Sequence, residues 1–167
     1  MNEAAPRIRP LVANDIDAVS ALSRTVWQAT YPPLISQAQI DAMLADRYNA
    51  ARIQSQLNDP QQAWWGAEVN QTLTGFAHAM CENDRIKLDK LYVHPSWQRR
   101  GIGHALLLAV QDWAAQQQIP CIWLQVNHGN TQAIAAYQRY GFHIVESRVF
   151  DIGNGFVMDD HIMELSR

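Results

Sequence analysis

Cysteine is scarce: Cys81 and Cys121 are the only two in 167 residues. They lie too far apart to outline a disulfide framework, and are expected to be small buried hydrophobes in a reducing compartment. No apolar run approaches the ~18 residues of a membrane helix, and no basic-then-apolar segment opens the chain. Neither membrane insertion nor export is expected, and the cytoplasm is the expected location. Positive charge is not in excess either. With 13 basic against 16 acidic residues the net charge is −3, which argues against general nucleic-acid binding. The six histidines show no metal-ligand spacing and no Cys/His cluster exists, so no metal site is expected. Repeats, linkers and low-complexity tracts are missing too.

What is present suits one domain spanning 1–167, because 48% of the residues are apolar and only 17% charged. Met1 to Pro6 are expected to fray. Ile8 to Leu11 read as a strand, with Asn14 or Asp15 capping a helix whose apolar face is Ile16, Val19, Leu22, Val26 and Trp27. Tyr31-Pro32-Pro33 ends it. Ser36 opens a second helix, and a third runs from about Asn49 to Leu57. From Ala63 the period changes to two. Ala63–Val69, Thr72–Glu82 and Ile86–Val93 read as an antiparallel meander turning at Asn70-Gln71 and Asn83-Asp84. Cys121–Val126 is a further strand and Thr131–Tyr140 a short helix stopped by Gly141. Phe142–Phe150 and Phe156–Leu165 finish as two strands. The implied fold class is α/β: a mixed sheet in one layer with helices on both faces.

The chain is organised around Leu88 to Trp113. A short buried strand stops at Pro95, and Gln98-Arg99-Arg100-Gly101-Ile102-Gly103 then leads into a helix with Ile102, Leu106, Leu107, Val110 and Trp113 on one face. Strand, arginine- and glycine-bearing loop and helix N-terminus together suit an anion. The glycines allow close backbone approach, the first N–H groups lack internal partners, and the helix dipole is positive there. A third glycine in dinucleotide register is missing, as is the G-K-[ST] of a nucleotide P-loop.

The loop Gln-Arg-Arg-Gly-Ile-Gly directly after Val93-His94-Pro95 resembles the pyrophosphate loop of the GNAT-type N-acetyltransferases. A second stretch, Asn130-x-x-Ala133-x-x-x-Tyr137-x-x-x-Gly141-Phe142, is similar to another pattern of that superfamily. Trp27 to Tyr31 and Phe150 to Asp160 look more faintly like a bacterial subgroup containing spermidine/spermine-type acetyltransferases. The resemblance implies a GNAT fold, mostly antiparallel, whose splayed central strands bind acetyl-CoA as cosubstrate. It also implies a small cationic amine as acceptor and, as in many relatives, a homodimer.

Residue roles follow from the resemblance alone. Leu91, Tyr92 and Val93 would hold the acetyl carbonyl and pantetheine arm through their backbone. Gln98, Arg99, Arg100, Gly101, Ile102, Gly103 and His104 would cradle the pyrophosphate. Asn130 would bond the pantetheine, and Tyr137 would stand near the sulfur and protonate the departing thiolate. A base is harder to find: relatives carry glutamate at the positions of Lys87 or Gln125, and neither residue here is a carboxylate. Asp89 is ranked first because the two-residue period puts it on a face with Leu91, although a charge paired with Lys87, Lys90 or Arg85 is the more ordinary role for it. Glu82, His78 and a water chain remain open. Trp27, Tyr31, Trp64 and Trp65 fall in regions that frame the acceptor pocket in the superfamily, but most aromatic residues simply pack. Asp159 and Asp160 would suit a cationic acceptor, but are expected at a solvated hairpin end. Acetylation of a protein N-terminus or lysine, or CoA sensing without turnover, are the rival readings.

Overall fold

A computed structural model gives the fold and describes residues 5–166; the fraying expected at Met1 to Pro6 therefore falls largely outside the described residues. The chain runs β1 (Arg7–Pro10), α1 (Ile16–Thr30), α2 (Gln37–Arg47), α3 (Ala50–Leu57), β2 (Gln62–Val69), β3 (Thr72–Glu82) and β4 (Arg85–Val93). It continues through α4 (Ile102–Gln116), β5 (Cys121–Asn127), α5 (Thr131–Arg139), β6 (His143–Gly153) and β7 (Phe156–Ser166). All seven strands form one sheet in the order β1-β2-β3-β4-β5-β7-β6.

Local signals account for most boundaries. Ser36 and Asn49 accept hydrogen bonds from the N–H groups of Gln39 and Arg52, capping α2 and α3. Asn70 and Gln71 both take positive φ, as do Asn154 and Gly155, which suits tight hairpins whose twist matches the sheet. Gly141, at φ +105, ends α5 as expected. Asp15 behaves differently from expectation. A 3-10 turn over Ala13–Asp15 precedes α1, and the Asp15 carboxylate accepts from Val12 N–H and from Arg9 rather than capping α1. The last hairpin is also tighter than expected, because β6 runs on through Asp151 to Gly153.

The helices divide between the sheet's two faces. Ile102, Leu106, Leu107 and Val110 of α4 pack with Ile86, Leu88, Ile122 and Leu124, and α5 joins them through Ala133, Ile134 and Tyr137. On the opposite face Val19, Val26 and Trp27 of α1, Ile40 of α2 and Ile53 of α3 close over Trp64 and Phe76. Burying each such side chain contributes about 1.5–3 kcal/mol, so the sheet is held from both sides. Cys81 and Cys121 are free, and among the described residues no helix is long and apolar enough to cross a membrane.

Two irregularities in β4 shape everything that follows. Among the described residues β4 and β5 are the one parallel pair, joined through α4, and they are registered only at Ile86↔Ile122 and Lys87↔Trp123. Beyond Lys87 the two strands separate. In addition, Ala79 pairs with Leu88 but its neighbour His78 pairs with Lys90, so Asp89 is an extra residue, a β-bulge. Alternation therefore shifts. Ile86 and Leu88 face the α4 layer, and so do Leu91 and Val93, whereas Asp89, Lys90 and Tyr92 face α1 and α2. The shared face expected for Asp89 and Leu91 does not exist, because the inserted residue breaks the two-residue period.

Candidate active site

The gap between the splayed strands opens into a cavity of about 520 Å³. Its floor is β4 from Leu88 to Val93; its walls are Gln98, Arg99, Gly101, Ile102 and Gly103 on one side and Gln125, Asn130 and Tyr137 on the other. Pairing with β3 continues through Leu91↔Ala77, Tyr92↔Phe76 and Val93↔Gly75, but nothing in β5 is registered with these residues. Backbone groups on that edge thus stay available to whatever enters the gap.

The loop turns sharply because Arg99 takes φ +64 and Gly101 φ +82. A Cβ on Gly101 would meet nothing within 4 Å, so its glycine is required by the backbone angle and not by crowding. Gly101 is the N-cap of α4, and the first internal helical bond runs from Ala105 N–H to Gly101 C=O at 3.0 Å. The N–H groups from Gly101 to His104 consequently end the helix without helical partners, at its positive pole. Gln98 Nε2 donates to Val93 C=O at 3.2 Å, tying the loop to the end of β4. Arg100 stacks its guanidinium 4.8 Å above the Trp97 ring, and His104 stacks on Tyr140 at 5.0 Å. Neither of those two side chains lines the cavity.

Tyr137 projects from α5 with its ring 5.6 Å from Phe142. Burial, then the neighbouring phenols of Tyr92 and Tyr140, push its hydroxyl well above the usual tyrosine range, so it keeps its proton across neutral pH. Asn130 uses its side-chain oxygen to accept from Ala133 N–H at 3.3 Å, capping the helix that carries Tyr137.

A second cavity, of about 290 Å³, lies on the α1 side. Trp27, Tyr31, Arg47 and Lys87 line it with Phe150, Asp151 and Asp160 from the last hairpin. Tyr31, Leu88, Asp89, Tyr92 and Gln125 line both cavities, so the two meet across β4 and β5. The Tyr31 and Tyr92 hydroxyls are 2.9 Å apart at that boundary.

Asp89 sits there too, encircled by three basic side chains and an imidazole. Lys90 Nζ lies 2.6 Å from Oδ2 and His78 Nδ1 3.0 Å from it; Arg47 and Lys87 approach Oδ1 at 3.4 and 3.7 Å. Burial would raise the carboxyl, but the Lys90 ammonium, the Arg47 guanidinium and the His78 contact together hold it well below the usual carboxylate range. Burial lowers Lys90 to about 8 and His78 to about 4, against the pull of Asp89 in each case.

The sequence profile of the acetyltransferase (GNAT) family matches residues 23–142. The chain belongs to that family. An uncharacterized N-acetyltransferase of Mycobacterium tuberculosis is 29% identical over 153 residues, covering 86% of this chain and 96% of the relative. A spermidine N(1)-acetyltransferase of Thermoplasma acidophilum is 24% identical over 156 residues, covering 91% and 94%. Among solved structures, the PaiA N-acetyltransferase of that archaeon, in complex with coenzyme A, superposes with a TM-score of 0.86 at 23% identity, over 98% of this chain and 100% of that one. The GNAT fold expected from the sequence is the fold found, and the chain is an N-acetyltransferase.

Most residues singled out in this acetyltransferase converge. Leu91, Tyr92, Val93, Gln98, Arg99, Gly101, Ile102, Gly103, Asn130 and Tyr137 all line the first cavity. Among the four aromatics, Trp27 and Tyr31 line the second cavity, but Trp64 stacks on His78 at 4.6 Å within the α1-side core and Trp65 meets Trp113 on the α4 side. Asp160 departs furthest from expectation. It does not end a hairpin: the turn lies at Asn154-Gly155, and Asp160 pairs with Asn127 of β5 and Arg148 of β6, only 4% exposed. The signal was in the sequence, since Met158 and Ile162 flank Asp160 at the strand period.

Proposed function

We propose that this enzyme transfers the acetyl group of acetyl-CoA to a primary amine of a small cationic molecule, by direct attack in a ternary complex. The observation that carries the reading is the meeting of two cavities across the β4–β5 gap, one at a helix N-terminus and the other walled by aromatic and acidic side chains together with Arg47 and Lys87, both paired with Asp89. The residues fit coenzyme A. Unpartnered N–H groups from Gly101 to His104, with Arg99 and Arg100 nearby, suit a diphosphate. The free edge of Leu91 to Val93 and the Asn130 side suit an extended amide-bearing arm. A volume of about 290 Å³ on the far side lies at the small end of ligand pockets, which favours a small acceptor over a polypeptide. Similarity to a spermidine N(1)-acetyltransferase supports the same class.

Catalysis then consists of placement and proton handling. Holding amine and thioester together contributes on the order of 7 kcal/mol in favourable cases. Backbone donors along Leu91 to Val93 stabilise the oxyanion as the C–N bond forms. Tyr137, kept protonated, supplies the proton to the leaving sulfur. Asp89 is poorly suited as the base: four cationic or imidazole nitrogens surround its carboxylate, and a carboxylate held that far down has little appetite for a proton. The exposed edge strand β6, with Val145 45% and Val149 60% exposed, supports the homodimer as a further part of the proposal.

The decisive experiment offers acetyl-CoA with polyamines, amino acids, aminoglycosides and peptides and measures thiol release. Release with small amines is expected. Release with peptides alone would establish a protein acetyltransferase, and coenzyme binding without release on any acceptor would establish a sensor.

A further inference from the structure

Asp160 is a buried carboxylate in the wall of the acceptor cavity, and among the described residues no cation forms an ion pair with it. Gln125, which reaches both cavities, lies beside it and favours its ionised form, while its Oδ1 is shut from solvent with no hydrogen-bond partner among the described residues. Buried acceptors without donors are rare and costly. The charged neighbours are engaged elsewhere. Arg47 from α2 and Lys87 from β4 bind Asp89; Arg148, opposite on β6, binds Glu146 at 2.7 Å; Asp159 turns outward to His128 at 3.2 Å; His161 bonds Ser147. Asp151 shares the cavity wall and adds negative charge, and Tyr92 faces the same space with its phenol kept protonated by burial.

We propose that Asp160 receives the acceptor's ammonium group and takes its proton, making it the general base of the reaction. This rests on the acetyltransferase reading above and names the group that Lys87 and Gln125, which replace the relatives' glutamates, cannot supply. An ammonium in the cavity donates to the carboxylate through its other oxygen, Oδ2, and loses one proton to it. The nitrogen lone pair then forms the C–N bond at the thioester carbon, and the C–S bond breaks with its electron pair on sulfur. Tyr137 Oη gives sulfur a proton and is refilled by the second proton shed from nitrogen; the third stays on the amide. Burial first, then adjacent Asp159, raise Asp160 to about 6, against the Gln125 hydrogen bond, Arg47 and Lys87. A base so tuned is ionised at neutral pH yet more basic than a free carboxylate.

The test is the pH dependence of kcat/KM with whichever amine releases thiol. The wild-type enzyme should lose activity tenfold per pH unit below about 6. Asp160→Asn should lower kcat/KM at pH 7.5 by ~10²–10⁴-fold, abolish that acidic limb and leave acetyl-CoA affinity by calorimetry unchanged. Asp159→Asn should keep the rate at pH 7.5 and retain an acidic limb, displaced to lower pH because the neighbouring charge that helps raise Asp160 is gone. An Asp160→Asn enzyme with wild-type rate and limb overturns the proposal. Should that variant not fold, a wild-type profile with no limb near pH 6 overturns it equally. Absence of thiol release by wild type with every amine would instead bring down the acetyltransferase reading, and the role of Asp160 with it.

Discussion

Asp89 and Lys90 are consecutive in β4, yet their side chains meet at 2.6 Å on one face of the sheet. Neighbours in a regular strand point to opposite faces. The bulge at Asp89 removes that constraint and lets one carboxylate anchor Lys90, His78, Arg47 and Lys87 at the boundary between the two cavities.

Replacing Asp89 by Asn should therefore be a stability change. Lys90 is nearly inaccessible, and removing its counter-charge leaves a buried cation uncompensated, at a cost of about 3–5 kcal/mol. Urea unfolding at pH 7 measures this. The acidic limb of the pH–rate profile should persist, displaced to lower pH as Arg47 and Lys87 lose their partner; a limb that vanished in this variant would restore Asp89 as the base.

His78 gives a second, pH-dependent term. Its folded pKa of about 4 lies below the ordinary 6.5, so between those values the unfolded chain binds more protons and stability rises with pH. Acidification through that window should remove about 3 kcal/mol. Asp160, raised to about 6, contributes the opposite slope in part of the same range, so the comparison must be between proteins. The stability advantage of wild type over His78→Gln should shrink by that amount from pH 7 to pH 4, as followed by urea unfolding at each pH.

Tyr137→Phe keeps the ring that packs on Phe142 and removes only the hydroxyl. Turnover should fall by ~10²–10⁴-fold with acetyl-CoA affinity unaltered, as expected of a proton donor. Unchanged turnover would leave sulfur protonation to water. Because the phenol is raised, no alkaline limb from Tyr137 should appear below pH 10.

Gly103 tests the anion site. A Cβ there would approach Tyr140 Oη at 3.7 Å and Val93 Cγ2 at 3.8 Å, ordinary contacts, so Gly103→Ala should fold with an unchanged Tm. Gly103→Glu should fold as well but lose coenzyme A affinity by ~100-fold or more, since like charges juxtaposed cost several kcal/mol. Calorimetry with coenzyme A distinguishes the two; retained affinity in the glutamate variant would place the diphosphate elsewhere.

Much of the site could be read from residue order because its parts are local. The strand that stops before Pro95, the turn residues Arg99 and Gly101 and the apolar face of α4 follow one another in the chain, and each is specified by its neighbours' dihedrals and period. The Asn130–Gly141 helix is specified the same way, from its cap to its left-handed stop. Trp64 and Trp65 were not legible as core, since an aromatic residue in a strand packs or lines a pocket according to what covers it. Asp160 reads as exposed because the polar pair Asp159-Asp160 follows a Gly-Asn-Gly turn that looks longer than it is.

The chain's order alone therefore specifies hairpins, caps and the anion-binding turn, all of which depend on φ, ψ and side-chain period within a few residues. Long-range packing decided the remainder. Insertion of β7 between β5 and β6 brings Asp160 opposite Asn127, and the β4 bulge turns Asp89 away from Leu91. Whether a carboxylate is solvated, neutralised or left waiting for a cation depends on what distant strands and helices lay against it, because burial and counter-charge are properties of the assembled fold.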